Sequence, residues 1–75
     1  MNAVADTAVL LFDLAVAQAA GDADQAFATA GQACDVLDRD FYATALKRVP
    51  AVRQALRHTP YAAELDERVR ALTAV

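Results

Sequence analysis

The spacing of apolar side chains predicts helices along the whole chain. The clearest example lies between residues 26 and 41, where apolar positions recur every three or four residues and fall within an arc of about 100° on a helical wheel. These positions are Phe27, Ala30, Cys34, Leu37 and Phe41, with Ala26 beside them. No segment alternates apolar and polar residues as a half-buried strand does. We therefore expect an α-helix here with one buried face.

Capping residues divide the first half of the chain into two helices. An apolar helix over residues 3–20 should end at Gly21, which stands where a left-handed residue commonly closes a helix. Asp22 should cap the next helix, with Gln25 three residues later in the spacing of a capping box. Since the connection is so short, we expect an antiparallel helical hairpin.

The second half continues with a new apolar stripe, and Asp40 is expected to cap the helix that carries it. The stripe consists of Phe41, Tyr42, Ala45, Leu46, Val49, Val52 and Leu56. It keeps its phase through Pro50, so two interpretations stay open. Either one helix ends near Val49, because proline disfavours the α conformation of the preceding residue, or one kinked helix runs over residues 41–57 and leaves the Leu46 carbonyl without its bond.

A final helix is expected from Thr59, a good N-cap, through Pro60 at the first helical position, to about Thr73. Its apolar stripe is Tyr61, Leu65, Val69 and Leu72, and the pairs Glu64 with Arg68 and Asp66 with Arg70 have helical spacing. The predicted fold is all-α: a single domain over residues 1–75, built as a compact bundle of four to five short helices that opens with the hairpin.

Composition restricts the core and the charge distribution. Twenty of the 75 residues are alanine, and each buries little apolar area. The net charge of −3 is unevenly distributed. Residues 1–40 carry seven aspartates against Arg39 alone, whereas residues 41–75 carry six basic residues against three acidic ones. The bias toward alanine, arginine and aspartate is typical of GC-rich coding and points to a bacterium or a phage.

The expected location is the cytoplasm. Cys34 is the only cysteine, so no internal disulfide can form. No basic residue precedes the first apolar stretch, and Asp6 and Asp13 interrupt it, which argues against a signal peptide and against a membrane span.

The candidate chemical residues favour ordinary structural roles. His58 has only Thr59 beside it as a nucleophile and no orienting carboxylate, and Cys34 lies on the predicted buried face between acidic neighbours. The aspartates lack the calcium-loop spacing, and two glycines are too few for a phosphate cradle. We expect no catalytic residue, no metal site and no cofactor, and therefore no enzyme.

The first helix carries more apolar surface than so short a chain can easily cover. Apart from a narrow wedge containing Asp6 and Asp13, nearly every position is apolar. Beside the wedge lie Val9, Leu10 and Leu14, which are candidates for a contact with a protein partner or a second copy. The alternative is that this helix is sandwiched in the middle of the bundle.

A basic segment surrounds Pro50. It contains Lys47, Arg48, Arg53, Arg57 and His58, and it is either solvated surface or a patch for an acidic partner. The predicted function is a non-enzymatic protein-interaction module, a small adaptor, regulator or inhibitor that self-associates and uses Arg53 and Arg57 besides the first helix. The alternative is a nucleic-acid-binding regulator with residues 41–57 as a helix-turn-helix, which the acidic pI near 4.7 disfavours.

Overall fold

The structure is a computed structural model that describes residues 3–73, with side chains from residue 6 onward. Four α-helices and one 3-10 helix follow one another in this range. They are α1 (Ala3–Ala19), α2 (Ala23–Arg39), the 3-10 helix (Ala43–Arg48), α3 (Val49–Ala55) and α4 (Tyr61–Thr73). The predicted all-α bundle is confirmed.

Helices α1 and α2 form the expected antiparallel hairpin. Near the turn, the Thr29 hydroxyl of α2 donates a hydrogen bond of 2.6 Å to the Gln18 side-chain oxygen of α1. At the far end, Thr7 of α1 lines the same shallow depression as Val36 and Arg39 of α2. Thr29 is a buried polar residue, and the bond to Gln18 satisfies its hydroxyl.

The turn between these helices is closed by Asp22 rather than by a left-handed glycine. Asp22 has extended backbone angles, and its carboxylate accepts a hydrogen bond of 3.1 Å from the Gln25 N–H. The Gly21 N–H donates to the Gln18 carbonyl at 3.0 Å, and no glycine in the described residues has a positive φ. The expectation of a left-handed Gly21 is therefore wrong, because the extended Asp22 already redirects the chain.

The end of α2 also differs from expectation. Asp40 ends this helix with non-helical backbone angles, and its N–H donates to the Val36 carbonyl. The 3-10 helix begins only at Ala43, after Tyr42, so the prediction that Asp40 caps the next helix is wrong. Phe41 lies beyond the end of α2 and leaves the phase of its buried face, which is why its side chain is exposed.

Pro50 explains the 3-10 helix before it. In an α-helix the Leu46 carbonyl would accept from residue 50, which has no N–H. In the observed 3-10 geometry the Val49 N–H donates to that carbonyl instead. Val49 itself has α backbone angles and opens α3, with Pro50 in its first turn. Of the two interpretations, two short helices are observed, but they follow each other without a gap.

Thr59 joins the end of α3 to the start of α4, as its predicted capping role requires. Its hydroxyl donates to the Leu56 carbonyl at 2.8 Å and accepts from the Tyr61 N–H at 3.2 Å. One side chain therefore satisfies a carbonyl at one helix end and an N–H at the other.

The core lies between α2 and its neighbours. Helix α2 packs against α1 on one side and α4 on the other, and α3 contacts both α1 and α4. Six of the buried core residues are alanines, which bring the helices close together: Ala8, Ala15, Ala26, Ala30, Ala33 and Ala45. Larger buried side chains include Phe12, Leu37, Val52, Leu56 and Leu65. The radius of gyration of 11.2 Å is that of a compact chain of this length.

Candidate functional site

The outward face of α1 exposes two large apolar side chains. Leu10 is 67% exposed and Leu14 is 47% exposed. They lie one helical turn apart, and on a helical wheel Leu10 points almost directly away from buried Phe12 and Ala8. We call the exposed surface around Leu10 and Leu14 the α1 face. It also includes Ala17, an exposed small residue about one turn beyond Leu14.

Val9 does not belong to the α1 face. It is half-buried and packs against the core, as do Leu11 and Val16 on the same helix. Helix α1 is therefore covered on the sides that face α2 and α3 and open on the side of the two leucines. Within the described residues, the large apolar side chains that α1 leaves exposed are therefore Leu10 and Leu14, because the residues beside them pack within the bundle.

The charges beside the α1 face are partly compensated. Arg48 of the 3-10 helix places its Nε 3.9 Å from a carboxylate oxygen of Asp13, and both side chains are about half exposed. Such a pair contributes at most about 1 kcal/mol in solvent. Arg48 nevertheless offsets part of the negative charge beside Leu10, because the charged residues of α1 itself are both aspartates, Asp6 and Asp13.

The two arginines proposed for partner binding, Arg53 and Arg57, line a cleft of about 710 Å³ between α3 and α4. Arg53 Nε lies 3.2 Å from a carboxylate oxygen of Asp66 on α4. Arg57, which lies just beyond the end of α3, donates a hydrogen bond of 2.7 Å to the Gln54 carbonyl of that helix. Both guanidinium groups therefore have partners within the chain.

Residues 41–57 do not have the geometry of a helix-turn-helix. That motif joins two helices through a turn of three or four residues, so that the second can enter the major groove. Here the 3-10 helix ends at Arg48 and α3 begins at Val49, with no turn residue between them. Helix α3 has only seven residues. The structural unit on which the nucleic-acid interpretation depended is absent from this segment.

Helices α2 and α4 run parallel and are bridged at two levels, which sequence analysis missed. The rings of Phe27 and Tyr61 stack with centroids 4.7 Å apart, and the Tyr61 hydroxyl donates to Asp24. This hydrogen bond raises the pKa of the Tyr61 hydroxyl. Further along, Arg68 binds both Asp35 and Asp38, the latter at 3.2 Å.

The bridges replace the helical pairs expected within α4. Arg68 binds the two aspartates of α2 instead of Glu64, and Asp66 binds Arg53 instead of Arg70. The hydrogen bond to Asp35, followed by that to Asp38, raises the pKa of Arg68. In the sequence, the only signal for these contacts is the excess of acidic residues in the first half and of basic residues in the second. This imbalance predicts attraction between the two halves but no specific pair of residues.

Between the bridged helices lies a shallow groove of about 410 Å³, which we call the α2–α4 groove. Its floor consists of apolar or small residues: Phe27, Ala28, Gly31, Leu65 and Ala71. Glu64, Glu67 and Arg68 stand along the α4 side, and Ala71 lies one turn beyond Arg68. A Cβ placed on Gly31 would meet nothing within 4 Å, so the space above this glycine is open.

Cys34 and His58 occupy the positions expected of structural residues. Cys34 is fully buried in the core, as predicted. Burial raises the pKa of its thiol, with smaller contributions from Asp38 and Asp35 in the same direction and an opposing one from Arg68. His58 is exposed just beyond the end of α3. Within residues 3–73, no three His, Cys, Asp or Glu side chains form a group that could hold a metal ion.

The chain was compared with protein-family models, with curated proteins and with solved structures, and none of them matches it. Among the helices of the described residues, none combines the length and the apolar character needed to cross a membrane.

Proposed function

We propose that this chain is a non-enzymatic protein-interaction module, an adaptor, regulator or inhibitor that docks through the α1 face. The observation that carries the proposal is the exposure of Leu10 and Leu14 one turn apart on the same side of α1. Apolar residues scattered singly over a surface need no explanation, whereas adjacent ones form a patch that a partner can cover.

The first occupant that we propose for the α1 face is a second copy of the chain. A two-fold contact uses the same patch on both copies. An antiparallel pair of α1 helices centred near residue 12 would bring Leu10 of one copy beside Leu14 of the other. The exposed Ala17 would allow close approach, and the contact between Arg48 and Asp13 would reduce the repulsion between the two acidic wedges.

The small apolar surface that this contact would bury predicts a weak association. Full burial of a leucine side chain stabilises by about 1.5–3 kcal/mol, and the two residues together expose about one whole leucine in each copy. Because association costs at least about 4 kcal/mol in lost freedom, the leucines alone give a dissociation constant that is roughly millimolar or weaker, so the α1 face supports only a dimer that exchanges readily. A reversible dimer suits a regulator whose docking surface must become available to another protein.

The test of this function is affinity capture with tagged protein, with and without nuclease treatment of the extract. We expect a protein partner that survives nuclease treatment and is lost with Leu10→Glu. The matched control is Gln32→Glu, which introduces the same charge at an exposed position of α2. Equal capture by the wild type and by Leu10→Glu would contradict docking through the α1 face. Loss of the partner after nuclease treatment would favour a nucleic-acid bridge instead.

A further inference from the structure

We propose that the α2–α4 groove binds a basic, amphipathic helix of a partner protein. This site is separate from the α1 face, and either surface can operate without the other. Three features of the groove carry the inference: its small-residue floor, the side-chain bridges that join the two helices flanking it and the sign of the charges around it.

The floor permits a third helix to approach closely. Ala28, Gly31 and Ala71 present at most a methyl group, and Phe27 adds an aromatic edge. The groove has a volume of about 410 Å³. An amphipathic helix laid into such a groove inserts apolar side chains spaced three or four residues apart.

The bridges hold the groove in shape. Tyr61 stacks on Phe27 at the start of α4, and Arg68 binds Asp35 and Asp38 of α2 further along. Since these contacts join α2 to α4 on both sides of Gly31, the groove exists before any partner arrives. A preformed site avoids part of the entropy cost of binding.

The charges select a basic occupant. Glu64 and Glu67 line the groove, and the aspartates of the two bridges are Asp24, Asp35 and Asp38. Arg68 is the basic residue that lines this groove, and two of those aspartates already bind it. Lysine or arginine side chains flanking the apolar stripe of a partner helix would therefore meet uncompensated carboxylates.

The same charges disfavour a second copy of the chain in the groove. The chain has a net charge of −3, and its apolar α1 face is accompanied by Asp6 and Asp13. Insertion of that face would bring carboxylates against Glu64 and Glu67. Like charges placed together at an interface suppress wrong partners.

The experiment is a titration with a fluorescent peptide at physiological ionic strength, followed by fluorescence anisotropy. The probe is a designed helix of about 18 residues, or about 27 Å, with leucines on one face and lysines and arginines on the other. A second peptide carries glutamate in place of every basic residue. We expect saturable binding of the basic peptide only, with amide shifts in NMR spectra at Ala28, Gly31 and Ala71.

Two matched pairs of variants locate the site. Gly31→Leu fills the groove and should weaken binding by more than about tenfold, whereas Gly31→Ala adds only a methyl group and should weaken it far less. Both changes should raise the urea midpoint of unfolding, because glycine is a poor helix former and a Cβ here meets nothing. If the midpoint of Gly31→Leu is at or above that of the wild type, its lost binding cannot be attributed to unfolding.

The second pair separates the groove from general charge attraction. Glu67→Lys should weaken binding by about two- to fivefold, whereas Asp40→Lys, which changes the net charge equally at an exposed site outside the groove, should not. Leu10→Glu should bind the peptide like the wild type. Unchanged binding by Gly31→Leu, or equal losses in Glu67→Lys and Asp40→Lys, would overturn the proposal. So would failure of the wild-type protein to bind the basic peptide.

Discussion

The ring of Tyr61 lies over the ring of Phe27 at a centroid distance of 4.7 Å, with the two planes inclined by 13°. Phe27 stands in the second turn of α2, and Tyr61 is the first residue of α4. The stack therefore sets the starting position of the last helix against the middle of the bundle. Further along both helices, Arg68 binds Asp35 and Asp38. The parallel arrangement of α2 and α4 therefore rests on two contacts of different kinds, an aromatic stack and an ion-pair cluster.

We expect the stack to contribute more to stability than the hydrogen bond beside it. Tyr61→Ala should lower the free energy of unfolding by about 1–3 kcal/mol, since it removes a half-buried ring and its aromatic contact. Tyr61→Phe keeps the ring and loses only the exposed bond to Asp24, so it should lower stability much less than Tyr61→Ala. Urea unfolding followed by circular dichroism measures both. Equal losses would show that the hydroxyl, and not the ring, holds α4.

Two leucines at opposite extremes of exposure provide a second comparison. Leu37 is 1% exposed in the core, and truncation to alanine should cost about 2–5 kcal/mol because it leaves a cavity. Leu10→Ala, at the most exposed of the large apolar positions, should change monomer stability by less than about 0.5 kcal/mol. Urea unfolding in dilute solution gives both values. A large loss of stability in Leu10→Ala would mean that Leu10 is buried, and therefore that α1 is oriented differently in the bundle.

The helices could be predicted because their signals are local. The Asp22 and Thr59 caps and the stripe of α2 each depend on residues a few positions apart, and all three are observed. The prediction from sequence was wrong at two positions where two local patterns overlapped. Gly21 suggested a left-handed turn that the extended Asp22 made unnecessary, and Phe41 matched the phase of a helix that ends two residues earlier.

The surfaces were harder to predict than the helices, because they depend on packing between distant segments. Leu10 and Leu14 could be selected as interface candidates, but only the packing shows that Val9 turns toward the core. The α2–α4 groove was not predicted at all. It arises because α4 returns parallel to α2, and no residue spacing within either helix encodes that return.

Cys34 should react slowly with thiol reagents in the native protein. The side chain is fully buried, and its raised pKa leaves less thiolate at pH 8 than a free cysteine has. Labelling should accelerate as urea unfolds the chain. The rate can be followed by absorbance with a disulfide reagent, using the fully unfolded protein as the reference. Native labelling as fast as that reference would mean that the face carrying Leu37 is open.

We expect no strong binding of nucleic acid. Arg53 is paired with Asp66, Arg57 with the Gln54 carbonyl, and the chain is acidic overall. Affinity for duplex DNA or RNA that depended on these arginines would fall steeply with salt, because phosphate contacts release counterions. A mobility-shift series over salt concentration, with the Arg53→Ala and Arg57→Ala double variant, checks this. Sub-micromolar binding at physiological salt that the double variant abolishes would replace the protein-partner interpretation with the nucleic-acid one.

The most direct test of docking through the α1 face is sedimentation equilibrium over concentrations from about 1 μM to about 1 mM, where weak dimers of this kind dissociate and form. The wild type should rise above the monomer mass of 8.0 kDa as concentration increases. Leu10→Glu should remain at 8.0 kDa throughout, and the exposed control Gln32→Glu should behave like the wild type. A wild-type mass of 8.0 kDa at every concentration, or association unaffected by Leu10→Glu, would contradict the account.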